Sequence, residues 1–180
     1  SKTAKQQHDI EQQKVNCYAY DVSFPGSNLA PAITGSDRTS YNSNYFLGND
    51  PQKWASNVAN YKTLTYAGIY SGVDIRFSST EGHLKYDFIV AAGTDPAGIS
   101  MKYSGLKSIE LLEGKLILDA GFMTISEAIP YAYQEKEGMR VEIKCEFILD
   151  GNVVRFAFPE GYDSRYKIVI DPVVIASTYS

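Results

Sequence analysis

From Asn16 onward, apolar and polar positions alternate with a period of two. Tyr18, Tyr20, Val22 and Phe24 point one way until Pro25-Gly26 stops the run, as in a half-buried strand. The clearest case is Met139 to Leu149. Met139, Val141, Ile143, Cys145, Phe147 and Leu149 share one face, and Arg140, Glu142, Lys144 and Glu146 share the other. One apolar and one solvated face indicate an antiparallel sheet covered on one side. Asp150-Gly151-Asn152 then turns the chain into Val154, Phe156 and Phe158. Glu113-Gly114 separates Ile109–Leu112 from Lys115–Leu118, and Glu137-Gly138 separates Tyr131–Glu135 from the long strand. The pattern predicts about eleven short strands with turn signals every eight to twelve residues. The expected fold is all-β, an antiparallel β-sandwich or open barrel. Helical signal is confined to one or two short turns. Asn49 or Asp50 would be the N-cap of one, with Pro51 at its first position, and Asp95-Pro96 would start the other.

Residues 1–15 break the pattern. They are almost wholly polar, with Gln6, Gln7, Gln12 and Gln13 among them, and cannot bury enough surface to offset their ordering entropy. The expected organisation is a polar tail or linker over 1–15 and a single β-rich domain over 16–180, exiting toward a following module. A chain of 180 residues sustains its own core without metal or disulfide staples. Its net charge of −4 lacks the Coulomb attraction that dominates nucleic-acid and anionic-membrane binding. No apolar run approaches the roughly 20 residues of a membrane span. Neither a nucleic-acid partner nor membrane insertion is expected.

The candidate chemistry is sparse. Histidine occurs twice, as His8 and His83, which weakens every scheme that needs a positioned imidazole. No phosphate-binding loop, dinucleotide fingerprint or nucleophile elbow is present. Cys17 and Cys145 read as two independent thiols or as one disulfide; a catalytic thiol lacks a partner. Val73–Phe77 and Leu84–Phe88 read as a hairpin around Ser78–His83. Its expected register sets Ile75 against Tyr86, Val73 against Phe88, Asp74 against Asp87 and Arg76 against Lys85. Two carboxylates about 5 Å apart are a spacing that a metal or a glycosidase uses, so Asp74 and Asp87 are the candidate calcium ligands. Arg76 and Lys85 offer the simpler role of neutralising them. Asp50-Pro51, Asp95-Pro96 and Asp171-Pro172 read as turns and strand exits. The 14 tyrosines would form a sugar-stacking face if exposed, but strand parity places many of them in the core.

Several blocks carry a family resemblance. Ser43-Asn44-Tyr45-Phe46-Leu47-Gly48-Asn49-Asp50-Pro51-Gln52-Lys53-Trp54 is the first, followed by Asn57-Val58 and Tyr61. Tyr70-Ser71-Gly72-Val73-Asp74-Ile75, Leu84 to Pro96, Pro130-Tyr131-Ala132-Tyr133-Gln134-Glu135 and the ending Ile168 to Ser180 follow in order. The set resembles an uncharacterised bacterial extracellular domain found before SBBP, β-propeller-like repeats. Similar domains occur in gliding-motility-type Bacteroidetes proteins exported by type 9 secretion. Ser71 and Ala92 stand where that family often has proline. The resemblance implies a secreted or cell-surface, non-catalytic module and carries over no active site and no cofactor. The blocks that carry the resemblance point to a structural motif of Tyr45, Gly48, Asn49, Asp50, Pro51, Trp54, Tyr86, Asp171 and Pro172. Trp54 is expected to pack under the turn that Pro51 begins, a burial worth about 3–5 kcal/mol, and Gly48 to permit a bend.

The expected function is a non-catalytic structural or interaction module of a large secreted or surface protein, with a role such as adhesion. Its partners would be neighbouring β modules, a surface glycan or a protein. The alternative is a glycan- or calcium-binding module, and the less favoured reading a carboxylate-dependent hydrolase.

Overall fold

The structure, a computed structural model, describes residues 19–80, 83–121, 123–172 and 174–179. The segment 1–15, His8, Cys17 and Tyr18 lie outside the described residues, as does the side chain of His83. Among the described residues are fifteen strands, numbered β1–β15 in chain order, and two 3-10 turns at Pro51–Lys53 and Pro96–Gly98. The fold is all-β with antiparallel sheets and no closed barrel. Both turns form as the sequence indicates. Asp50 and Asp95 are the N-caps, their carboxylates accept from the backbone N–H of Gln52 and Ala97, and Pro51 and Pro96 open the turns.

Three sheets share the strands. The largest runs β11 (Met139–Ile143), β10 (Tyr131–Lys136), β14 (Ile168–Asp171), β5 (His83–Val90), β4 (Val73–Thr80), β3 (Ala55–Tyr70) and β2 (Ala32–Tyr45). The second runs β1 (Asp21–Ser23), β6 (Ser100–Ser104), β13 (Val153–Ala157) and β12 (Glu146–Asp150). The third runs β15 (Val174–Tyr179), β9 (Met123–Glu127), β8 (Lys115–Asp119) and β7 (Ser108–Leu112). The Glu-Gly turns are as expected. Glu113 and Gly114 both take positive φ, as do Glu137 and Gly138, the geometry of two-residue hairpins whose twist matches their strands.

Met139–Leu149 departs from expectation. It is two strands, not one, and the chain changes sheets at Lys144-Cys145. Cys145 and Phe147 are buried, while Met139 and Val141 are exposed at the edge of the largest sheet. The alternation is real, but a strand leaving one sheet for another bends at the corner, and its apolar face outruns the layer covering it.

The core fills with aromatic rings in contact from sheet to sheet. Tyr66, Phe77, Tyr86, Phe88, Phe156 and Phe147 form a continuous series of ring pairs, with centroids 5.6–6.4 Å apart. Gln134, fully buried, is satisfied by the loop beneath it. Its amide donates to the carbonyls of Asp163 and Tyr166 and accepts from the Asp163 N–H. Cys145 is a buried free thiol whose pKa burial pushes up to about 12, so it is an inert packing residue.

One ionisable group joins all three sheets. Glu127, on β9, is 3% exposed. The Tyr86 hydroxyl, on β5, donates to its carboxylate at 3.1 Å. Tyr103, on β6, also hydrogen-bonds to it, and Tyr20 stacks on Tyr103. Burial raises the Glu127 pKa, while the two tyrosine hydrogen bonds pull it back. A carboxyl raised in the folded state stabilises most below its unfolded pKa and loses that contribution as pH rises through the folded value. Glu127→Gln is therefore expected to gain thermal stability over the parent protein as pH is raised from 4 to 8. A melting-temperature difference independent of pH would contradict this. Tyr86→Phe is expected to cost about 1–3 kcal/mol at pH 8, through a buried carboxylate short of a donor.

Candidate functional site

Alternation along the central strands separates core from chemistry. On β5, Tyr86, Phe88 and Val90 face the core, and Lys85, Asp87 and Ile89 face outward. On β4, Val73, Ile75 and Phe77 face inward, and Asp74, Arg76 and Ser78 outward. The polar residues of β2 to β5 line an open trough of about 470 Å³, with Ser36, Thr63, Thr65, Arg76, Lys85 and Asp87 in its walls.

The β4–β5 register corrects the expected carboxylate pair. The hairpin continues to Thr80 opposite His83, so pairing is displaced by two residues. Arg76 faces Asp87, and Asp74 faces Ile89. The expected parity holds, but Asp74 and Asp87 are only diagonal neighbours. Each is also occupied. Asp74 accepts the Gly68 N–H at 2.7 Å, where β3 bulges between Tyr66 and Tyr70 and Gly68 takes a φ of 65°. Asp87 has a side chain 7% exposed and takes the Arg76 guanidinium through Nη2 at 2.6 Å and Nε at 3.1 Å.

The neighbour of Asp87 is a different carboxylate. Ile170 on β14 pairs with Phe88, so the next position sets Asp171 against Asp87. Tyr131 stands on the other side of Asp171. Lys85 bridges the two carboxylates, with Nζ 2.5 Å from Asp171 Oδ2 and 3.9 Å from Asp87 Oδ1. The Asp171 side chain is 17% exposed, and its Oδ1 is buried without a hydrogen-bond partner. Burial pushes its carboxyl above the usual range, Lys85 pulls it back, and Asp87 adds an upward push. Arg76, Asp87, Lys85 and Asp171 thus form an alternating chain of charges across β4, β5 and β14. Its charges cancel, and both carboxylates are already held by cations. No group of three metal-ligating side chains occurs among the described residues.

A second feature lies at the far end of the same sheet. Among the described residues β4 pairs with β3 from Thr63 to Tyr70, so residues 55–62 of β3 and their partners on β2 project as a two-stranded arm, roughly 25 Å long at about 3.3 Å per residue. A lone ribbon is marginal in water, and this one is braced by side chains. Asn42 bonds Asn57, Ser43 bonds Asn60, and Asn44 accepts the Asn57 N–H. The Tyr61 ring lies over Gly35, 2.5 Å from where a Cβ would sit. The tip carries the Tyr45–Trp54 block. Gly48 takes a φ of 65°, the bend expected of it. Trp54, however, is 43% exposed, and Tyr45, Phe46 and Leu47 are exposed beside it. Trp54 Nε1 donates to the Gly48 carbonyl at 3.1 Å, and its ring meets Phe46 edge-on at 5.4 Å. The expected burial of Trp54 is overturned: among the described residues no second layer covers the ribbon at its tip.

Of the other motif residues, Tyr86 joins the Glu127 junction, Pro172 is buried beyond β14, and Asp171 enters the charged chain instead of serving only as a strand exit. Sequence reasoning missed the Lys85–Asp171 contact. Its one local signal was an aspartate on the outward parity of the apolar run Ile168–Ile170.

Residues 1–173 match the family model described as Domain of unknown function (DUF7948). The chain belongs to this family. No curated protein and no solved structure matches it. The family description assigns no activity.

The register has a direct test in stability. Asp87→Asn is expected to cost about 2–3 kcal/mol, less than a fully buried pair because Arg76 and Lys85 keep contact with water. Asp74→Asn should cost about 1 kcal/mol, the worth of its hydrogen bond to Gly68. Equal costs in denaturant titrations would point to a paired site. Trp54→Ala is expected to cost about 1–2 kcal/mol, from one hydrogen bond and one ring contact; a loss of 4 kcal/mol would restore the buried reading.

Proposed function

We propose that this chain is a non-catalytic interaction module of a large secreted or cell-surface bacterial protein, and that it engages its partner through the β2–β3 arm. The observation that supports this reading is the arm tip. Phe46 is 63% exposed and Leu47 67%, beside Trp54, and soluble domains rarely present such a cluster without a use for it. The tip is also preorganised. The indole N–H is satisfied within the arm and the side-chain bracing fixes the ribbon, so docking costs little ordering entropy. Tyrosine, asparagine and serine dominate the strands behind the tip, a composition suited to protein recognition. The resemblance to domains preceding SBBP repeats in type 9 secreted proteins favours a neighbouring β module or another surface protein as the partner. Tyr41, Tyr45 and Tyr61, exposed on the arm, favour a surface glycan as the second reading.

A photo-crosslinking phenylalanine at position 46, in cells that secrete the protein, is expected to join the arm to one site on a polypeptide. The same group at exposed Glu160 should not. Equal labelling from both positions would sink the proposal. Phe46→Ser with Leu47→Ser should leave the fold intact and weaken that contact at least about tenfold, as for a docking hot spot. Binding on a glycan array that is lost in Tyr41→Ala, Tyr45→Ala and Tyr61→Ala would favour the second reading.

A further inference from the structure

Lys85, Asp171 and Asp87 stand in an arrangement that the interaction reading does not use. Asp171 and Asp87 are cross-strand neighbours on β14 and β5, and Lys85 lies two residues from Asp87 on the same face. The Lys85 Nζ is 2.5 Å from Asp171 Oδ2, and Asp87 Oδ1 is 3.9 Å from the same nitrogen. Both carboxylates are largely shielded, with side-chain exposures of 7% for Asp87 and 17% for Asp171. Asp171 Oδ1 has no hydrogen-bond partner. We infer that Lys85 and Asp171 are a self-modification site, where the amine and carboxyl condense into an amide cross-link between β5 and β14, with Asp87 as the proton relay.

The step balances without an added reagent. The Lys85 ammonium passes one proton to Asp87, and the freed amine lone pair attacks the Asp171 carboxyl carbon to give a tetrahedral intermediate. The carbon–oxygen bond to one Asp171 oxygen then breaks. That oxygen leaves as water, carrying two protons that began on the ammonium, one of them delivered by Asp87. Ammonium and carboxylate become amide and water, and no group is oxidised or reduced.

Three features favour the reaction. Holding the Lys85 amine against the Asp171 carboxyl group replaces a bimolecular encounter, an advantage equivalent to effective molarities of about 10⁵–10⁸ M in well-oriented cases. Product formation removes the charge of Asp171, whose side chain is only 17% exposed, together with that of the half-exposed Lys85. Burial and Asp87 both favour the neutral form of Asp171, the better electrophile. After condensation Asp87 remains paired with Arg76, so no charge is stranded. The new bond would close a loop between positions 86 residues apart, restricting the unfolded chain as a disulfide does.

Intact-mass spectrometry of the purified protein in denaturant tests this directly. The expected mass is that of the sequence less one water. Trypsin should leave the Lys85 and Asp171 peptides joined as one branched fragment. Lys85→Arg and Asp171→Ala should show the full mass, and Asp87→Asn should slow the loss at least about a hundredfold, the lower end of the range for proton-transfer catalysis. The parent protein at full sequence mass after incubation at neutral pH would overturn the inference. So would a water loss that persists in Lys85→Arg, or separate tryptic peptides. Because masses are read on denatured protein, a variant that folds poorly does not obscure the result for the parent chain.

Discussion

Everything in this fold converges on one buried carboxyl. Glu127 brings β9 of the third sheet against Tyr86 of the largest sheet and Tyr103 of the second. Hydrophobic contact between layers is non-directional and tolerates sliding. A hydrogen-bonded polar group inside an apolar core does not, because misplacement leaves it unsatisfied at a cost of about 1–3 kcal/mol. The aromatic series through Phe77, Tyr86, Phe88 and Phe156 supplies the burial, and Glu127 specifies how the layers meet.

With the junction holding one face, the other face of the largest sheet is left for charge. Strand alternation puts Arg76, Lys85, Asp87 and Asp171 outside because it puts Ile75, Tyr86, Phe88 and Ile170 inside. The same constraint explains the arm. Among the described residues the strands β2 and β3 outrun the layers packed on them, and the apolar residues at their tip are exposed. Gly35, with Tyr61 laid over it, and the asparagine bridges give the ribbon support that a core gives elsewhere. The body and the arm are thus stabilised by different physics, burial in one and local side-chain bracing in the other.

Local features were legible in the sequence because their physics is local. Asp50-Pro51 and Asp95-Pro96 form capped turns because proline sets its own φ and the preceding aspartate reaches the freed N–H. Glu113-Gly114 and Glu137-Gly138 turn where glycine relieves the positive φ. The parity of β4 and β5 was also readable, since alternation alone decides which residues share a face. Register was not. A displacement of two residues preserves every inward residue and changes every partner, so pattern cannot distinguish the Asp74–Asp87 pairing from the Arg76–Asp87 pairing found.

The sequence by itself therefore determined an all-β antiparallel chain, the places where it turns, and which side of each strand is apolar. Tertiary structure decided the rest. It broke Met139–Leu149 across two sheets, left Trp54 half-exposed at the arm tip, and put Asp171 beside Asp87 and Lys85. Each of these depends on contacts between distant segments. Such contacts follow from how whole layers fill space together, and a period-two pattern carries no record of which layer lies opposite.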